Sequence, residues 1–164
     1  MYEKGQIFTI DFIFASAIFL FILVTAITFG SVITNNLELK EKVNARDEAC
    51  FHAVNSLMST AGEPKNWQNL TMEDINSIGF VNSKNIISNS KLLKLIELNS
   101  TNYLEVKNIL GLSRYDLYIS IIDFNGTVYN EFGSIPGSET EVSSIQRIGL
   151  LGENEVFVKF KVWE

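Results

Sequence analysis

Residues 12–33 are 22 consecutive side chains without a charge. At about 1.5 Å of rise per residue they make roughly 33 Å of helix, enough to cross a hydrocarbon core of about 30 Å. Only Ser16, Thr25, Thr28 and Ser31 interrupt the apolar residues. The run therefore lacks the polar stripe that a buried core helix usually carries, and it belongs in a membrane or in equally apolar surroundings. A cleavable secretory signal fits less well. Its apolar region is typically about 7–15 residues and ends in a small-residue cleavage site, whereas this run is longer and passes into Thr34-Asn35-Asn36.

The residues ahead of the run are more specific. Met1-Tyr2-Glu3-Lys4-Gly5 is followed by Gln6-Ile7-Phe8-Thr9-Ile10 and then by Asp11. A short polar leader, a Gly-Gln junction, an early acid and a long apolar helix together resemble the class III signal peptide of archaeal type IV pilins and pilin-like proteins. The resemblance implies that a prepilin-type signal peptidase cuts between Gly5 and Gln6 on the cytoplasmic side. Residues 1–5 would then be a leader and residues 6–36 a hydrophobic membrane and assembly helix. It further implies that this helix packs with like or related pilin subunits in a surface filament. In that setting the early acid of one subunit pairs with the freed α-amino group of a neighbour. The family places its acid at the fifth mature position, which Ile10 occupies here. Asp11 follows one place later, rotated by about 100° on a 3.6-residue helix.

Of 164 residues, roughly 130 remain beyond the leader and apolar run, the size of one typical domain. Lys plus Arg number 13 against 19 Asp plus Glu. An acidic balance of this kind argues against a nucleic-acid surface, which needs a basic patch to neutralise phosphates. Cys50 is the single cysteine, so no internal disulfide forms. Charge alone would put the N-terminus outside, since Lys4 precedes the run and Lys40, Lys42 and Arg46 follow it. Long domains translocate largely regardless of such charges, and the resemblance to pilins requires a cytoplasmic cut with residues 37–164 outside the cell.

Residues 37–58 contain neither Pro nor Gly, and Leu39, Val43, Cys50, Val54 and Leu57 share one helical stripe. Continued from the apolar run, this predicts one helix of about 50 residues, with Thr34-Asn35-Asn36 as a place for a kink. Gly62 and Pro64 stop it. Thr71 caps a short turn. Two short amphipathic helices follow: residues 90–98, with Leu92, Leu95, Ile96 and Leu98 set against Lys91, Lys94 and Glu97, and residues 102–110, with Leu104, Val106, Ile109 and Leu110 apolar.

The last third alternates with period two. Residues 115–124, 127–132, 141–151 and 155–163 read as strands, joined by a two-residue turn at Asn125-Gly126, a loop through Pro136-Gly137 and a turn at Gly152-Glu153-Asn154. The expected fold is α+β: a long N-terminal helix packed on a C-terminal antiparallel four-stranded sheet, with short helices between. This arrangement also resembles the pilin fold. No internal repeat or low-complexity linker divides the domain.

Signals of chemistry are weak. His52 is the only histidine, which excludes a multi-histidine metal site, and two residues of separation put it on a different helical face from Cys50. There is no P-loop or dinucleotide fingerprint. Asp116 and Asp123 are the only acids worth weighing as a carboxylate pair or calcium site, and acids at strand ends are usually just solvated. Three N-x-S/T sequons, at Asn69, Asn99 and Asn125, are close to what chance supplies in a chain this rich in Asn, Ser and Thr. Asn125 has a competing role as the turn residue. The expectation is a non-enzymatic pilin-like subunit, major or minor, with no catalytic residue, metal or cofactor. The alternative is a single-pass membrane protein that never polymerises and binds a target through its outer domain.

Overall fold

The computed structural model describes residues 3–83, 85–138 and 140–164, with side chains in the first helix from Ile10 onward. Met1 and Tyr2 of the expected leader lie outside the described residues. Helix α1 (Glu3–Ser59) runs for 57 residues without a break. Thr34, Asn35 and Asn36 stay helical. Extending a formed helix fixes one residue per hydrogen bond, so a few weak formers inside a long one do not interrupt it. The chain divides into two compact units between Lys42 and Val43, and α1 contributes to both.

Among the described residues the core lies in the second unit. From α1 it takes Cys50, Ala53, Val54, Leu57 and Met58. Leu39, assigned to the same stripe by its spacing, is exposed and belongs to the first unit. A connecting segment with 3₁₀ turns at Trp67–Asn69 and Met72–Asp74 contributes Trp67, whose indole N–H donates to the Gly79 carbonyl at 2.8 Å. In the second turn the Thr71 hydroxyl bonds the Asp74 carboxylate at 2.9 Å. Helices α2 (Asn89–Thr101) and α3 (Tyr103–Ile109) follow. Leu92, Leu95 and Leu98 of α2 and Val106 of α3 are buried, whereas Leu104 faces solvent.

The strands are β1 (Val81–Ser83), β2 (Ile86–Ile87), β3 (Asp116–Ile122), β4 (Val128–Gly133), β5 (Ser143–Leu151) and β6 (Asn154–Trp163). They form one sheet in the order β1-β2-β5-β6-β3-β4. The fold is α+β as expected, but the sheet has six strands and is mixed, since β2 runs parallel to β5. The two extra strands are three and two residues long, too short for alternation to be visible in sequence. Their pairing is decided by contacts across the fold. The four longer strands match the alternating segments. Val156, Val158, Phe160 and Val162 of β6 and Leu117, Ile119 and Ile121 of β3 are buried on one face. Each such aliphatic or aromatic side chain contributes about 1.5–3 kcal/mol when fully buried.

The turn at Asn125-Gly126 is longer than its sequence suggests. Gly126 N–H bonds the Asp123 carbonyl (3.2 Å) and Asp123 N–H bonds the Thr127 carbonyl (3.0 Å), leaving three residues in the loop. Gly126 is left-handed at φ +86° while Asn125 is not. A type I′ turn needs positive φ at both central residues, whereas a three-residue loop with a type I turn needs it only at the glycine. The Asp123 carboxylate selects the longer loop by accepting the N–H groups of Asn125 (2.8 Å) and Thr127 (2.7 Å). That bonding, chiefly from Thr127, also holds the Asp123 carboxyl below its usual range.

Candidate functional site: the apolar helix and the groups around it

Residues 12–33 of α1 form a largely exposed apolar surface unlike the rest of the chain. Within Ile10–Ser59 the most apolar stretch has a mean hydropathy of 2.6 and no buried residue. By length and composition this helix is able to cross a membrane. The hydroxyls of Thr25, Thr28, Ser31 and Thr34 are turned back on the helix. Thr25 bonds the carbonyls of Phe21 (3.0 Å) and Ile22 (2.8 Å), and Thr28 those of Val24 (3.1 Å) and Thr25 (2.9 Å). Ser31 bonds Ile27 (3.1 Å) and Thr34 bonds Gly30 (3.0 Å). In hydrocarbon an unsatisfied polar group costs several kcal/mol, and these back-bonds remove that cost without a partner from outside. The segment therefore presents apolar matter all round. Asp11 is exposed near its start. Gly5 and Gln6 lie within the helical backbone, and their side chains are outside the described residues.

The remaining residues singled out in the sequence are dispersed. His52 is exposed, with Glu48 3.5 Å away one turn earlier and its ring edge-on to Phe51. Cys50 faces the core beside β5, and burial, with Asp47 adding, pushes its thiol up to about 11. A thiol so raised is protonated at neutral pH and poorly nucleophilic. Asp116 and Asp123 sit at opposite ends of β3 and each is engaged locally, Asp116 by Lys107 at 2.7 Å. Among the described residues no three His, Cys, Asp or Glu converge to hold a metal. The sequon residues are apart as well: Asn69 and Asn125 are exposed, whereas Asn99 uses its side-chain oxygen to accept the Gly133 N–H at 2.9 Å.

Several polar contacts that hold the domain were not visible in the sequence. Arg46 bonds the Ser143 hydroxyl (2.8 Å) and the Glu141 carbonyl (3.1 Å), and the Ser143 hydroxyl donates to Asp47, fastening α1 to the start of β5. Lys91, placed by its charge on the polar side of α2, is buried and donates to the Ala61 carbonyl at 2.7 Å. Its position four and seven residues before Leu95 and Leu98 was the available signal, since that spacing is one helix face. Tyr103 accepts the Leu117 N–H at 3.1 Å beside the Lys107–Asp116 pair.

Fold and surface together define an α+β domain joined to a helix able to span a membrane. No protein-family model, no curated protein and no solved structure matches the chain.

Proposed function

We propose that this chain is a type IV pilin-like structural subunit of an archaeal surface filament, held in the membrane before assembly, with residues 37–164 outside. One observation carries most of the weight: a helix that is apolar on every side from Phe12 to Ile33, with the hydroxyls of Thr25, Thr28 and Ser31 satisfied internally. A surface of that kind is as stable among identical helices as in lipid, so transfer from membrane to filament exchanges one apolar environment for another. The Gly5-Gln6 junction and the early acid Asp11 supply the likeness to pilins. The role needs no catalytic residue and no cofactor.

Mass spectrometry of the native membrane fraction tests the reading. The expected mature N-terminus is Gln6, and Gly5→Val leaves the chain uncut but still in the membrane. An N-terminus at Met1 or Tyr2 removes the likeness to pilins and favours the non-polymerising, single-pass binding protein. Asp11→Ala is expected to leave insertion and cleavage intact while lowering incorporation into sheared surface material. Normal incorporation on a quantitative blot would reduce Asp11 to a marker of the membrane boundary.

A further inference from the structure

Among the described residues, strand β5 is paired along its whole length on one side only. On that side β6 matches it from Ser143 to Leu151 without a register shift. On the other side β2 reaches only Leu150 and Leu151. Leu150 N–H donates to the Asn85 carbonyl at 2.7 Å, on the β2 side. Backbone groups of alternate residues point to the same side of a strand, so Ser144, Gln146 and Ile148 present their N–H and C=O groups to the open edge. All three residues are exposed, Ile148 by 57%. An open edge of this kind is a template for another strand.

Charge and register select which strand. Ile145 lines an open groove of about 470 Å³ with Asp47, Glu48, Cys50 and Phe51 of α1. Arg147, two residues on, lies on the same face, is exposed and has no ion pair among the described residues. If a second β5 is laid antiparallel on the edge with Gln146 opposite Gln146, then Ser144 faces Ile148 and Ile145 faces Arg147. Three outward-facing residues on each strand then exchange six backbone hydrogen bonds. Arg147 of the second copy enters the acidic groove beside Ile145, and two-fold symmetry repeats the contact. No like charges are opposed. We propose that the β5 edge is a self-pairing surface, through which two copies of this domain join their six-stranded sheets into one. The two-fold reverses the direction of α1, so this surface joins copies held in facing membranes and not neighbours in one membrane.

Cysteine crosslinking in the full-length chain, in detergent micelles, tests this. Directly opposed residues of a hydrogen-bonded antiparallel pair have Cα atoms about 5.5 Å apart, within disulfide reach. Gln146→Cys is expected to give a disulfide-linked dimer as the main species on mild oxidation, while the wild type, whose Cys50 is buried, stays monomeric on the gel. Adding Ile148→Pro removes an edge N–H that β6 does not use and is expected to abolish the crosslink. Adding Arg147→Glu should lower the dimer fraction by roughly fivefold or more, and a further Glu48→Arg should restore it. Glu153→Cys, in the β5–β6 turn, is the collision control. Circular dichroism verifies that each variant is folded. A folded Gln146→Cys chain that does not crosslink overturns the proposal, as does equal crosslinking through Glu153→Cys. More dimer with Arg147→Glu would make Arg147 a guard of the edge and equally overturn it. Gly5→Val leaves the crosslink in place, so this result and that of the cleavage experiment are read separately.

Discussion

Lys91 is buried with the Ala61 carbonyl as its partner, and burial, with Lys65 adding, lowers its affinity for a proton. In the unfolded chain the amine keeps its proton up to about 10.5. Over the interval below that, where the folded form has already released it, the unfolded state binds more protons, so stability rises with pH through that window. Lys91→Met should remove this rise, so that the difference in stability between wild type and variant changes as pH climbs toward 10.5. Urea unfolding at a series of pH values measures it, and parallel profiles would mean that the buried amine titrates as it does in water. Tyr118 acts with the opposite sign. Its hydroxyl donates to Glu131, and burial followed by that contact pushes the phenol up to about 12. The unfolded chain loses that proton first, so Tyr118 withdraws stability above pH 10. Comparing each variant with wild type at the same pH keeps the two contributions apart.

At the scale of elements, the junction of α2, β3 and β4 depends on Gly133. Its N–H is held by Asn99, its φ is +90°, and a β-carbon there would overlap the Leu117 carbonyl. Both effects act against any side chain: a left-handed L residue costs about 1–2 kcal/mol, and the overlap displaces a strand paired on both sides. Gly133→Ala should therefore destabilise the domain by about 2 kcal/mol or more, measured by chemical denaturation. Asn99→Ala is expected to cost less, about 1–3 kcal/mol, because it removes the acceptor without adding bulk. A Gly133→Ala variant as stable as wild type would show that β4 slides without penalty at this end.

For the whole molecule, the buried residues of the described chain begin at Cys50 and all belong to the unit Val43–Glu164. Helix α1 brings Val54 and Leu57 to the sheet, and Phe160 stacks on Phe80 with ring centroids 6.5 Å apart. Among the described residues, no member of this core belongs to the apolar run. Removal of residues 1–42 should leave a soluble domain that unfolds cooperatively and shows mixed helix and strand signals by circular dichroism. Within it, Leu57→Ala is expected to cost about 2–5 kcal/mol, as for other fully buried leucines. A truncated chain that is soluble yet lacks a cooperative transition would mean that the amphipathic end of α1 needs the apolar end to stay helical.

The sequence by itself determined everything governed by period. An uncharged run of 22 residues, a heptad-like stripe through Cys50, Val54 and Leu57, and four alternating segments each reflect a local geometry that repeats along the chain, so the helix, the strands and their buried faces were legible. Tertiary structure decided whatever joins residues distant in sequence. β2 lies parallel to β5 because the fold carries Ile86 beside Leu150, and Lys91 is buried because Ala61 offers a carbonyl there. Arg46 meets Ser143 across 97 positions. The open edge of β5 belongs with these, since it exists only because β2 stops after two residues. A pairing partner, or the lack of one, is a property of packed elements and leaves no periodic trace in the strand that carries it.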